Sequence, residues 1–403
     1  MLSTYRELFA IPGARAFSAA AFVMRLPISM IGLGIMLLIV RTGGSYGLAG
    51  LVSAAFWLAY SFSLPWQGRL ADRHGQAVVL GACAAVEAVS ILALVAGAGM
   101  HAPTWALLVA AGAIGAAYVP IGSLVRARWS HATQGTRLWH AAHAWESVVD
   151  EVVFITGPVL VTVLCVQVAP AAGLLAAAGL GVVGACWLVP LRATEPPRLP
   201  ADHIRGSPAV RHPVVLLLTL SWVGLGGVIG SVEVAVVAFT AERGQVGWAG
   251  AVLAGLAFGS MLAGLTYGML RFRLPPPRRM VIALATLTVM TGTLGLLPNT
   301  AALAAVAFCA GMAVSPSLIT GFALVDSVVP AAVRTEAMSW LSTGIGIGIS
   351  GGATVVGRII DGYGARAGFA VPLLAGALAT VLAVVVALRP VAAVRPEPTR
   401  ADA

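Results

Sequence analysis

The sequence predicts an all-α membrane protein whose twelve transmembrane helices form two pseudo-symmetric six-helix bundles. Three observations carry this prediction: a composition that only lipid can solvate, twelve apolar runs of spanning length, and an internal repeat at an offset near 200 residues. Of 403 residues, 59% are hydrophobic and only 10% charged, against roughly 25% charged in an ordinary soluble domain. Too few charges remain to build a solvated shell around so much Leu, Val, Ala and Gly, so lipid must cover the surface. The formal net charge of +9 does not signal nucleic acid, because the arginines fall between apolar runs and do not gather into a basic patch with aromatics. All 24 basic residues are arginine, which with the Ala, Gly and Val content points to a high-GC, bacterial coding sequence. Cys83, Cys165, Cys186 and Cys309 each stand alone in an apolar run, without CxxC or His spacing, and are expected to act as small hydrophobes. No metal and no cofactor is predicted.

A spanning helix needs about 20 mostly apolar residues. Cutting the chain at Arg, Pro and Gly clusters gives runs at 16–40, 46–67, 76–98, 103–126, 141–168 and 171–191, then at 213–240, 246–270, 280–298, 300–327, 332–357 and 368–388. The N-terminal segment shows no cleavage site, so the first run is expected to stay as a spanning helix. The longest polar break, Ala193 to His212, is rich in Pro and charge and predicts a cytoplasmic linker. It separates an N-terminal bundle at 1–192 from a C-terminal bundle at 213–390, leaving 391–403 as a disordered cytoplasmic tail. With both ends placed in the cytoplasm, nineteen arginines fall inside, only Arg41, Arg243, Arg358 and Arg366 fall outside, and Arg25 lies within a helix. Because positive short loops are retained in the cytoplasm, this orientation in a bacterial cytoplasmic membrane is the expected one.

The repeat appears when the chain is slid along itself. At an offset of 200, Gly47, Ala49, Gly50, Ala54, Gly68, Leu70 and Arg73 fall on Gly247, Ala249, Gly250, Ala254, Gly268, Leu270 and Arg273. At an offset of 195, Trp145, Gly157 and Val161 fall on Trp340, Gly352 and Val356. The second helix is thereby matched with the eighth, and the fifth with the eleventh. Such halves enclose a midplane site at their interface in many transporters.

Gly68, Arg69, Leu70, Ala71, Asp72, Arg73, His74, Gly75 and Gln76, read as the loop after the second helix, resemble the G-x-x-x-D-R-x-G-R-R signature of the major facilitator superfamily. Gln76 and Ala77 stand where that family closes with a basic pair, and in the second half only Gly268 and Arg273 survive, before Pro275, Pro276 and Pro277. The resemblance implies the major facilitator fold, close packing and a sharp turn at Gly68 and Gly75, and a cytoplasmic charge network of Asp72 and Arg73 that breaks as the halves rock. Gly157 and Pro158 keep only the Gly-Pro of the fifth-helix G-P-x-x-G-G motif of drug/proton antiporters. Ala110, Ala111 and Gly112 stand early in the fourth helix, where those proteins tend to carry an arginine. The whole looks most like a drug- and sugar-efflux branch of the superfamily.

Ionisable side chains inside the hydrocarbon region are expensive and mark candidate sites. Arg25, Glu87, Asp150 and Glu151 are expected at a similar depth, roughly 10 to 15 Å from the cytoplasmic ends of their helices at 1.5 Å per residue. Arg25 is expected to pair with Asp150 or Glu151, and an acid left over would suit a proton carrier, since burial without a partner penalises the charged carboxylate. A static salt bridge that sets helix register is the alternative. Glu233, on the equivalent of the first helix, is expected in the outer half of the membrane as a proton or cationic-substrate site, against a snorkelling or interface role. Asp326 is expected to meet Arg334 at the cytoplasmic gate, and Glu146 to lie beside Arg126, Arg128 or Arg137 as gate or surface charge. Trp57, Tyr60 and Tyr118 are candidate cavity aromatics, with packing as the alternative. Pro27, Pro120, Pro158 and Pro316 fall within apolar runs, where each frees a carbonyl and allows a bend.

Function classes narrow accordingly. The expectation is a monomeric secondary active transporter that takes a small, hydrophobic solute by proton-coupled efflux. An importer, a sugar-type exporter or uniporter, and a non-transporting receptor on the same fold remain alternatives. A single Asn and only five Gln argue against a sugar site. No GxxxxGK[ST] run is present to use ATP, and no HExxH is present to support a metal-dependent enzyme.

Overall fold

The structure, a computed structural model, describes residues 2–197, 212–267, 273–329 and 331–388, without the side chains of 2, 3, 65, 326 and 331–336. The core of the linker predicted at 193–212 and the C-terminal tail predicted at 391–403 therefore lie outside the described residues.

A short helix α1 (Leu2–Leu8) precedes the spans. The first span is two helices, α2 (Ala14–Arg25) and α3 (Pro27–Arg41), with Pro27 at the first position of α3, where its missing N–H costs nothing. Next come α4 (Tyr46–His74) and α5 (Gln76–Gly99). The fourth span is α6 (Thr104–Ala117) and α7 (Ile121–Ala132). It is interrupted, not continuous, because Tyr118 ahead of the break is extended and Pro120 brings no N–H. The fifth span is α8 (Trp139–Val163), which keeps Pro158 in its interior and ends in a π turn, Leu164–Val168. The sixth is α9 (Ala172–Leu188). The second half runs α10 (Pro213–Ala241), α11 (Ala249–Tyr267), α12 (Pro276–Thr293), the pair α13 (Thr300–Gly311) and α14 (Val314–Val328), α15 (Ala331–Tyr363), and the pair α16 (Ala365–Gly368) and α17 (Ala370–Leu388). Among the described residues, eleven spans are long and apolar enough to cross a bilayer. The twelfth, α9, has 17 residues and rises about 26 Å at 1.5 Å per residue, close to the thickness of a thin hydrocarbon core.

Two sequence expectations are corrected here. Gly68 to His74 form the last turns of α4 and not a loop; the turn itself falls on Gly75, whose φ of 90° suits glycine. The first linker residues are docked and not free: Arg192–Thr194 makes a 3₁₀ turn, Arg128 Nη1 donates to Thr194 Oγ1 at 2.7 Å, and Glu195 accepts from the Ala77 N–H at 2.9 Å.

The halves meet along two seams, α4 against α15 and α8 against α11, on the side of the molecule opposite α1. Glycine makes both possible. A methyl group at Gly50 would overlap the Ala353 carbonyl, and one at Gly250 would overlap the Pro158 carbonyl. These glycines are partners at the 200-residue offset, so each seam repeats the other's chemistry. The 195-residue pair behaves likewise within each half, Gly157 lying on Ser29 of α3 and Gly352 on Gly227 of α10. Hydrogen bonds reinforce the first seam: Asp361 accepts from the N–H groups of Tyr46 at 2.9 Å and Gly47 at 2.7 Å, and Ser350 Oγ donates to the Ala54 carbonyl at 3.2 Å. A carboxylate is well placed there, since the first turn of α4 exposes unpaired N–H groups and the positive end of the helix dipole.

Asp361 thus stabilises only the state in which this side is closed. Asp361→Ala is expected to shift the population toward opening by roughly 2- to 30-fold, from about 0.5–2 kcal/mol for a lost helix-cap acceptor. Spin labels on Arg41→Cys and Tyr363→Cys, which flank the seam, would read this as a larger long-distance fraction; an unchanged distance distribution would deny Asp361 the role.

Candidate functional site

A cavity of about 390 Å³ lies between the halves, walled by side chains of α3, α4 and α8 on one side and α10, α11, α12, α14 and α15 on the other. Its wall is mostly apolar, with Val, Leu and Ile supplying twelve of its 21 residues. Two of its polar groups are already engaged: Ser29 Oγ donates to the Leu26 and Val153 carbonyls, and Thr291 Oγ1 to the Leu287 carbonyl. The groups left to face the cavity are the Glu233 carboxylate, the Trp57 indole N–H and the Tyr60 hydroxyl. Among the described residues, no basic side chain lines it.

Glu233 comes from α10 and Trp57 from α4, and they converge over Gly32 of α3. A Cβ at that position would lie 3.3 Å from Glu233 Oε1 and 3.3 Å from Trp57 Nε1. Any larger residue would crowd both, so Gly32 keeps the acid open to the cavity. Among the described residues no hydrogen bond or ion pair reaches the Glu233 carboxylate.

The second feature is an ion cluster inside the first half, displaced toward the terminal side. Arg25 closes α2 and lies between two acids of α8, with Nη2 at 2.6 Å from Glu146 Oε2 and Nη1 at 2.8 Å from Asp150 Oδ1. Asp150 also holds Arg126 of α7 at 2.6 Å, and Glu146 accepts from the Trp129 indole N–H at 2.8 Å. Arg25, Glu146 and Trp129 are almost fully buried. Glu146 is therefore corrected from gate or surface charge to a buried partner of Arg25, and the bond expected from Arg126 goes to Asp150. A sequence signal for Glu146 existed, since it stands four residues before Asp150 and so shares its helix face. Gly32 and Trp129 carried no such signal.

Tyr60 and Tyr118 connect cavity and cluster. Their rings meet edge to face at 5.5 Å, and the Tyr118 hydroxyl donates to the Arg25 carbonyl at 3.4 Å. Tyr118 is buried behind Tyr60 and does not line the cavity. Glu87 is 5% exposed and stands apart from the cluster, its Oε1 beside Gly181 without a hydrogen-bond partner. Glu151, one residue past Asp150 and so about 100° around α8, is not in the cluster either.

The motif residues are less connected. A side chain at Gly68 would meet open space, and among the described residues neither Asp72 nor Arg73 has an ion-pair partner. Gln76, where the family signature has a basic residue, accepts from Arg128 Nε at 2.7 Å and donates to the Leu124 carbonyl at 3.2 Å. The side chains of Asp326 and Arg334 lie outside the described set. No group of His, Cys, Asp and Glu suited to a metal ion occurs among the described residues.

Two six-helix bundles that enclose a solute-sized cavity in the membrane define a transporter architecture. The chain belongs to the Major Facilitator Superfamily, whose family model matches residues 17–263 and 214–402. It is thus a multi-pass membrane transporter and not an enzyme. Solved structures share the fold. The nucleoside transporter NupG matches with a TM-score of 0.72 at 15% identity, over 92% of this chain and 97% of that one. A bacterial homologue of the iron transporter ferroportin, in an inward-facing state, gives 0.70 at 15%, over 93% and 99%. The human organic anion transporter MFSD10 (TETRAN) gives 0.63 at 17%, over 92% and 99%. No curated protein matches the sequence.

Proposed function

We propose that this chain is a secondary active transporter that exports a small, predominantly apolar solute in exchange for protons, with Glu233 as the coupling acid. The observation that carries the reading is the Glu233 carboxylate, the single charged group on an apolar cavity wall and without a partner among the described residues. A carboxylate so placed is costly to keep ionised unless it meets a proton or a cationic group of the solute. Competition of the two for one site couples their movements. With both termini in the cytoplasm, as the arginine distribution favours, the closed seams face outward and this state is inward-facing. Three free polar groups on so large an apolar wall are too few to replace the hydration of a sugar, which favours an apolar solute.

The test is solute-driven proton movement in vesicles loaded with a pH dye, across lipophilic cations, neutral aromatics and sugars, for the native protein and Glu233→Gln. The expected result is flux with an apolar solute that falls to background in the variant, at an unchanged unfolding temperature. Flux that survives in Glu233→Gln removes that acid from coupling; solute uptake without any proton movement favours a uniporter.

A further inference from the structure

We propose that the groove between α2 and α8 is a binding site for one anionic phospholipid, with the phosphate on Arg15 and an acyl chain along the groove. The groove holds about 370 Å³ and is built from two matching stripes, Arg15, Ser18, Ala19 and Phe22 on α2 and Trp145, Val148, Val149 and Val152 on α8. Each stripe repeats at i, i+3, i+4 and i+7, so each lies along one helix face. At 1.5 Å per residue the groove runs about 10 Å from Arg15 to Phe22. That length seats the upper part of an acyl chain, and is too short to seat a partner helix across a bilayer.

The groove looks outward. On α8 the residues that wall the central cavity, Phe154 and Pro158, lie about 150° around the helix from the groove stripe at 100° per residue. An apolar channel on that face has lipid, not the solute pathway, as its neighbour.

Its mouth is polar in one sense only. Arg15 Nε donates to the Phe9 carbonyl at 3.0 Å, which fixes the guanidinium, and its two terminal nitrogens have no partner among the described residues. A fork of free N–H donors suits phosphate. The α1 segment frames the mouth, with the Tyr5 and Phe9 rings 6.4 and 5.0 Å from Trp145, and Trp145 Nε1 donates to Ser18 Oγ at 2.8 Å. Glu7, the acid of α1, is taken by Arg137 at 2.8 Å. Arg15 therefore stands uncompensated at the mouth, so charge selects an anionic headgroup over a zwitterionic one.

This site is independent of solute and coupling. The test is native mass spectrometry of the delipidated full chain in detergent, titrated with phosphatidylglycerol, with phosphatidylcholine of the same chains, or with glycerophosphoglycerol, which has no chains. The expected result is one phosphatidylglycerol retained about fivefold more tightly than phosphatidylcholine, the increment for one basic residue at a membrane surface. Arg15→Gln should erase the preference and Val148→Trp should reduce retention of both lipids. Equal retention by the native protein, or an unaltered preference in Arg15→Gln, overturns the proposal. Binding of glycerophosphoglycerol as tight as that of the lipid would make it a phosphate site and overturn the lipid assignment. Arg15 is exposed, so its variant decides the matter even if Val148→Trp does not fold.

Discussion

Arg25→Met will lower the stability of the purified protein in detergent by about 3–5 kcal/mol, the cost of leaving a buried charge without its partner. The acid most affected is Glu146, because Asp150 keeps Arg126 at 2.6 Å while Glu146 keeps only the Trp129 N–H. The companion change Glu146→Gln removes the stranded charge and still offers Trp129 an acceptor. The double variant is therefore expected to recover most of the loss, since neutral replacement of a buried pair is often nearly cost-free. Thermal unfolding of the native protein, the two single variants and the double variant gives the coupling directly. A single variant as stable as the native protein would mean that the cluster contributes nothing to the fold. A double variant no better than the single would mean that Arg25 acts through packing and not through charge.

Gly50→Val should hold the far side open. The new side chain has to enter space held by the Ala353 carbonyl, with the Ala353 carbonyl carbon at 2.9 Å and Thr354 Cα at 3.3 Å from the Cβ position. These are backbone atoms and cannot rotate away. Overpacking costs typically 1–3 kcal/mol, and here the cost falls on the closed state alone, a shift of roughly 5- to 150-fold in the balance of states. Spin-label distances between Arg41→Cys and Tyr363→Cys should lengthen, and transport should fall in step. Gly250→Val should act equivalently at the α8–α11 seam, where the Pro158 carbonyl and Thr162 occupy the same place. If both variants keep the native distances and rates, the seams are too soft to control the cycle.

The two seams also show what the sequence makes legible. Gly50 and Gly250 were paired by an arithmetic offset alone, and both prove to lie where a helix of one half meets backbone of the other, because close backbone contact admits only glycine and therefore repeats in both halves. Span number was legible for a similar reason, as hydrocarbon thickness fixes run length. The breaks at Leu26 and at Tyr118–Pro120 were not, because a proline in an apolar run is compatible with a bend, a cap or an interruption, and tertiary contacts choose. Glu146 was misplaced because its position along the chain, near a cytoplasmic helix end, says nothing about which face it presents. The α2–α8 groove was invisible for the opposite reason: valines and a phenylalanine on a lipid-facing stripe look the same in sequence whether the stripe is filled by a neighbour or left open.

Gly32 brings Trp57 of one bundle and Glu233 of the other around the same space. On the proposed reading, the solute's coordination sphere is assembled from two bodies, with the indole donor on one and the acid on the other. Any motion that parts the bundles takes that sphere apart geometrically, so a bound molecule is let go because its ligands travel in different directions, and tight capture need not be traded against fast release.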